Sequence, residues 1–176
     1  YTSQALFKWA LEIRGKVLGP VHPDTAVILN NLAMLEETKR NECEKAETLY
    51  RRSLEIYEKV FGPTYLDTIQ AMFNLAQMLR QHSYREKAAL LYKKLLTLQN
   101  ELLEKGSAVF PEIWEIIAIS HNELAFHFEV PATNWVKAEN HYCKAMELWN
   151  QIGNKTESIN VELNLQTLFK LSGKPI

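Results

Sequence analysis

The sequence predicts an all-α fold: a right-handed superhelical solenoid of antiparallel helix pairs, closed by a C-terminal capping helix. Three features of the 176 residues carry that expectation. A block of the chain recurs 43 residues later, apolar residues recur at spacings of three and four, and Gly62-Pro63 stands where a helix must stop. Leu11-Glu12-Ile13 followed by Lys16-Val17-Leu18-Gly19-Pro20 returns as Leu54-Glu55-Ile56 followed by Lys59-Val60-Phe61-Gly62-Pro63. Asp24-Thr25 returns as Asp67-Thr68, and Asn31-Leu32-Ala33 as Asn74-Leu75-Ala76, with a weaker third copy at Asn122-Glu123-Leu124-Ala125. Between these marks lie Ala46 with Tyr50, Ala88 with Tyr92 and Ala138 with Tyr142, each pair one helical turn apart. Agreement at so many positions under one offset marks stacked units, none of which can bury its apolar face alone.

Eight helices are expected, over 1–18, 25–39, 42–61, 68–81, 84–105, 112–128, 134–152 and 156–171. The first matches the second member of a pair, because Phe7 aligns with Tyr50; its missing partner, and Tyr1 in place of an initiator methionine, predict a longer protein upstream. The second has a wide apolar face (Val27, Ile28, Leu29, Leu32, Ala33, Leu35), as a helix packed on two sides requires. Asp24 and Asp67 stand where a helix begins and a carboxylate meets unpaired amides. In the third helix Leu49, Tyr50, Leu54, Ile56, Tyr57, Val60 and Phe61 form one face, with charged residues between. Gly62-Pro63 stops it, since glycine accepts the left-handed position and proline cannot continue the ladder.

The third copy is irregular. From Tyr50 to Leu75 is 25 residues, but from Tyr92 to Leu124 is 32. The excess of seven, about two helical turns, implies a longer fifth helix or a longer loop opened by Gly106-Ser107 before Pro111. Val130-Pro131-Ala132 is expected in a turn. Both irregularities flank one repeat, through drift or as a feature of a binding surface. The eighth helix carries Glu157, Asn160, Glu162, Asn164 and Gln166, suited to a capping surface, and Ser172-Gly173-Lys174-Pro175 ends it. The organisation expected is a single array: 1–20 as the second helix of an incomplete repeat, repeats over 21–63 and 64–108, a divergent repeat over 109–153, and a cap and tail over 154–176.

Composition excludes several functions. Lys plus Arg total 20 against 21 Asp plus Glu, a net charge of -1, and aromatic and basic residues are not interleaved, which argues against nucleic-acid binding. No apolar run approaches the ~18 residues of a membrane span, no signal peptide opens the chain, and Cys43 and Cys143 sit in helix-like sequence. A cytoplasmic protein without membrane insertion is expected. His121 and His127 are six residues apart and His141 and Cys143 two apart, so neither pair shares a helix face as metal ligands would. Without a phosphate loop, nucleophile elbow or paired catalytic carboxylates, neither an enzyme nor a cofactor or metal protein is expected. Glu36-Glu37 and Glu139 read as solvated, and Trp9, Trp114, Trp135 and Trp149 as packing residues.

The recurring phrases resemble the tetratricopeptide repeat, in the longer form found in kinesin light chains. They are Gly19-Pro20 with His22-Pro23-Asp24-Thr25, then Leu29-Asn30-Asn31-Leu32-Ala33, Ala46-Glu47 through Tyr50, and Ser53-Leu54-Glu55-Ile56. The resemblance implies that Ala33 with Ala46, Ala76 with Ala88, and Ala125 with Ala138 let paired helices approach closely. It also implies a non-catalytic scaffold that takes a peptide or protein segment in a concave groove lined by the first helix of each pair. Groove residues would be Val27, Asn30, Asn31, Met34 and Glu37 in the first copy. In the second they would be Gln70, Phe73, Asn74, Gln77 and Arg80, and in the third Ile119, Asn122, Glu123, Phe126 and Glu129. Asn31 and Asn74 would hold a peptide backbone, since a carboxamide donates and accepts at once, or would merely solvate the groove or bond within their own repeat. Met34, Ile119 and Glu123 replace the basic residues of a carboxylate clamp, and Glu37, Glu123 and Glu129 oppose an acidic peptide, so a mixed or apolar one is expected. The alternative is a structural subunit packed permanently in a larger assembly, for instance one associated with microtubules or cilia.

Overall fold

A computed structural model describes residues 3–39, 42–104, 111–129 and 134–173. Their regular structure is wholly helical: α1 (Ser3–Val17), α2 (Pro23–Glu37), α3 (Cys43–Phe61), α4 (Leu66–Gln81), α5 (Arg85–Glu104), α6 (Pro111–Glu129), α7 (Trp135–Ile152) and α8 (Lys155–Ser172). All eight expected helices are present, with ends shifted by a few residues. Helix α2 starts at Pro23 because the His22 ring accepts the Asp24 amide at 3.1 Å, and a proline in the first turn gives up an amide that has no helical partner anyway. Gly62 ends α3 at φ 85°, a conformation other residues rarely adopt, and Asn134 and Asn154 cap α7 and α8 through their side-chain oxygens.

Among the described residues the seven-residue excess shows mainly in α6 rather than in a longer α5. Helix α5 is only one residue longer than α3 (20 against 19). Instead α6 starts 13 residues before Leu124, where α4 starts 9 before Leu75, so α6 gains a first turn that α4 lacks. That turn contains Ile113 and Trp114. The expected Gly106-Ser107 loop and Val130-Pro131-Ala132 turn lie outside the described residues.

The chain divides into two compact units, 1–88 and 89–176. In the first, α1 packs on α2, α2 on α3 and α3 on α4. Ala26, Leu29, Leu32, Ala33, Ala46 and Tyr50 form the α2–α3 core, and Ile69, Met72, Leu75, Ala76 and Leu79 bury the inner face of α4. Ala33 and Ala46 have no exposed surface, as a close helix crossing requires. The Ser53 hydroxyl crosses that interface to donate to the Ala26 carbonyl at 2.8 Å. Helix α1 differs: Leu6, Trp9, Ile13 and Val17 are exposed, although Ile56, the repeat counterpart of Ile13, is 4% exposed.

In the second unit α6 packs on α7 and α7 on α8. Leu124, Ala125, Ala138, Tyr142 and Ala145 are buried in the α6–α7 pair, and Val161 and Leu168 on α8. Two expectations need correction. Glu36 is not solvated: it is fully buried, with Lys39 Nζ at 3.0 Å, Lys45 Nζ at 3.5 Å, and the Gln4 amide donating to its carboxylate. It falls on the α2 stripe of Ala26, Leu29 and Ala33, which packs inward. Trp9 is not a packing residue, being 64% exposed, while Trp149 is buried.

Candidate peptide-binding groove

In the first unit α2 and α4 present the predicted residues at three- and four-residue spacings, which puts each set on one helix side. Val27, Met34, Gln70 and Arg80 are exposed, and Asn30, Asn31, Glu37, Phe73, Asn74 and Gln77 half-buried. The amides form a chain across the two helices. Gln70 Nε2 donates to Asn74 Oδ1 at 2.9 Å, and Asn74 Nδ2 donates to Asn30 Oδ1 at 3.2 Å. Asn74 therefore bonds to the neighbouring repeat as well as its own helix. A carboxamide has two donor hydrogens and two lone pairs, so this chain leaves capacity for a ligand backbone.

Beside it opens a cleft of about 570 Å³ lined by Met34, Glu37, Thr38, Tyr50, Asn74, Gln77, Met78, Gln81 and His82. The structure thus gathers Met34, Glu37, Asn74 and Gln77, and leaves Val27, Asn30, Asn31, Gln70, Phe73 and Arg80 outside the lining. Arg80 Nε donates to Gln77 Oε1 at 3.1 Å, which holds the guanidinium at the cleft's edge. Sequence reasoning missed Tyr50 because it reads as a core residue. Its ring is buried, yet its hydroxyl reaches the cleft and donates to the Glu37 carboxylate at 3.0 Å. Burial, then the Glu37 charge and hydrogen bond, hold that phenol well above its ordinary pKa, so it remains a donor. Burial and the carboxylates of Glu47, Glu37 and Glu44 also raise the Cys43 thiol, 3.8 Å from Met78 Sδ, which leaves it a poor nucleophile.

The second unit repeats the amide motif. Helix α6 presents Ile119, Asn122 and Glu123 half-buried and Phe126 exposed; the side chain of Glu129 lies outside the described residues. Asn164 Nδ2 of α8 donates to Asn122 Oδ1 at 3.2 Å. Sequence reasoning assigned Asn164 to a capping surface, but a signal was present. Buried Ser158 precedes Leu165 by seven residues, as buried Thr25 precedes Leu32 and Thr68 precedes Leu75, so Asn164 holds the register of Asn31 and Asn74. Among the described residues no three His, Cys, Asp or Glu side chains come together as a metal site would require, and no helix is long and apolar enough to cross a membrane.

The tetratricopeptide repeat family model matches residues 1–59 and 37–101. No curated protein matches the chain. Among solved structures, BtubC (BKLC) from P. vanneervenii is similar with a TM-score of 0.71 at 21% identity, over 98% of this chain and 68% of that one. The nearly identical TPR-like repeats of a Podosopora anserina protein described as a kinesin light chain give a TM-score of 0.64 at 18% identity, over 97% of this chain and 77% of theirs. At such identities the likeness speaks for the fold alone, and the fold is all-α. With Ala33 and Ala46 fully buried in the α2–α3 pair, Ala125 and Ala138 in the α6–α7 pair, and a family match over more than half its length, the chain belongs to the tetratricopeptide repeat family.

Proposed function

We propose that this protein is a non-catalytic binding module that holds an extended segment of a partner protein against the first helices of its pairs, α2 and α4 in the first unit. Tetratricopeptide repeats generally mediate protein–protein interaction, which supports the reading. The observation that carries it is the 570 Å³ cleft bordered by the Gln70–Asn74–Asn30 amide chain. Asn74 and Gln77 supply paired donors and acceptors for a peptide backbone, and Met34 and Met78 supply adaptable apolar surface. With Glu37 in the cleft and Arg80 at its edge, neither sign of charge prevails, so the segment recognised is mixed or apolar. A cytoskeleton-linked partner is part of this reading by fold analogy alone, from a neighbour described as a kinesin light chain.

Selection from a displayed peptide library against the whole chain tests this. Enriched peptides should lose about tenfold in affinity, or ~1.4 kcal/mol, to Asn74→Ala, with the melting temperature unchanged. Affinity indifferent to Asn74→Ala would remove the reading. A structural role in a larger assembly is favoured by one observation, the exposed Leu6, Trp9, Ile13 and Val17 stripe of α1. If that stripe is a permanent interface, Trp9→Ser should raise the solubility of the isolated chain and leave peptide affinity unchanged.

A further inference from the structure

The cleft of the first unit opens where two helices end. Met34 and Glu37 stand in the last turn of α2 and Thr38 caps it; Met78 and Gln81 stand in the last turn of α4 and His82 caps that one. The final carbonyls of a helix lack amide partners within it, and the aligned peptide dipoles leave its C-terminal end partly negative. Two negative poles therefore border one hollow. Helix α4 answers its own with Arg80, but the last turn of α2 contains no basic residue and carries Glu36 and Glu37 instead.

These adjacent carboxylates have opposite surroundings. Glu36 is buried and met by the ammonium groups of Lys39 at 3.0 Å and Lys45 at 3.5 Å, so its charge is balanced inside the fold. Glu37 lines the cleft, where its Oε2 accepts the Tyr50 hydroxyl at 3.0 Å. Among the described residues no ammonium or guanidinium group forms an ion pair with it. A hydroxyl holds a carboxylate in place without cancelling its charge, and leaves most of its lone pairs for another donor. Arg80, the counterpart of Glu37 one repeat on, bonds through Nε to Gln77 Oε1 at 3.1 Å and does not line the cleft. Along the groove Arg80 thus offsets Glu37, but within the cleft the carboxylate stands among amides, hydroxyls and thioethers, with the imidazole of His82.

We propose that this cleft selects a basic side chain of the bound segment and that Glu37 determines the choice. An arginine or lysine enters with its charged group on the Glu37 carboxylate, at the C-terminal ends of α2 and α4, and its methylene stem against Met34 and Met78. The proposal rests on the peptide-binding reading above and adds the identity of one ligand residue. Charge complementarity selects this occupant: the lining contains a carboxylate and neither lysine nor arginine. Arginine fits best, because its planar fork can span both oxygens of a carboxylate. An acidic side chain would meet a carboxylate and two negative helix ends.

The test is selection from a random displayed peptide library against the whole chain at pH 8, followed by titration of the synthesised winners. Enriched peptides should share an arginine or lysine at one position. Its neutral counterpart there (citrulline for arginine, acetyl-lysine for lysine) should bind about tenfold more weakly. Glu37→Gln should cost the basic peptide about as much and the neutral one little, with the melting temperature unchanged, since a glutamine carbonyl still accepts the Tyr50 hydroxyl. Selection against Glu37→Lys should place an acidic residue at the same position. Winners that weaken with Asn74→Ala but share no basic residue, or are indifferent to Glu37→Gln, would overturn this proposal and leave the binding reading standing. Winners that respond to Glu37→Gln but not to Asn74→Ala would keep the basic pocket and remove the backbone contact. No enrichment at all would overturn both.

Discussion

The α2–α3 pair of the first unit and the α6–α7 pair of the second share one apolar plan and differ in the polar contact buried near it. Ala33 with Ala46 and Ala125 with Ala138 are fully buried, and Tyr50 and Tyr142 fill equivalent positions. In α2–α3 the buried polar group is a charge, Glu36, met by two ammonium groups; in α6–α7 it is a neutral pair of imidazoles. A charged contact must be kept ionised and a neutral one kept uncharged. Two pairs built alike should therefore respond to acid in different pH ranges.

The largest expected effect follows. Burial, then His141 and Lys144, pull His121 down to about 3, and burial with Lys144, Lys93 and Lys137 pulls His141 to about 4, from an ordinary 6.5. A histidine depressed in the folded state is neutral there while its unfolded counterpart takes up a proton. Its stabilising contribution is thus complete above pH 6.5 and is lost as pH falls from there toward the folded values. Glu36 is also depressed: its burial pushes upward, but hydrogen bonds from Lys39 and Gln4 and both ammonium charges outweigh it. That contribution is complete above the ordinary 4.5 and is lost only below it. Between pH 6.5 and 4.5 the α6–α7 pair should lose on the order of a few kcal/mol while α2–α3 keeps its share. Residue-resolved hydrogen exchange at stepped pH measures this. Replacing both histidines with leucine should abolish the difference, and equal loss of protection in the two pairs would contradict the account.

A second test concerns what the pairs share. Enlarging Ala33 or Ala125 to leucine should force the helices apart and cost about 1–3 kcal/mol in either unit, read from urea unfolding. A cost confined to one unit would show that the crossing is tight in only one pair.

How much of this was legible depended on the sequence distance over which each feature is encoded. All eight helices could be read because three- and four-residue spacing and glycine-proline stops are local signals, whereas Pro23 and Pro111, which begin α2 and α6, fall just outside the expected ranges. The asparagines of the groove were legible through the repeat, which turns one position into several. What the sequence hid was set by packing between distant residues. His121 and His141 lie 20 apart and Tyr50 meets Glu37 across 13, so neither contact leaves a local pattern. Glu36 is an intermediate case. Beside Glu37 it looks like half of a solvated charge pair, but its place ten residues after Ala26 and three after Ala33 puts it on the inward stripe.

The smallest effect sharpens the comparison most, because it isolates a single hydroxyl in each unit. Ser53 and Ser120 are both fully buried. Ser53 donates across the interface to Ala26 of the neighbouring helix at 2.8 Å, whereas Ser120 donates at 2.7 Å to Ile116, one turn back in its own helix. The first bond joins two elements that separate on unfolding; the second can persist in any helical turn and competes weakly with the helix itself. Ser53→Ala should therefore cost about 1 kcal/mol and Ser120→Ala close to nothing. In the first variant the Ala26 carbonyl keeps its partner within α2, so no buried acceptor is stranded and the difference measures the interhelical bond alone. If the two substitutions cost the same in urea unfolding, the hydroxyl of Ser53 contributes through volume rather than by joining α2 to α3.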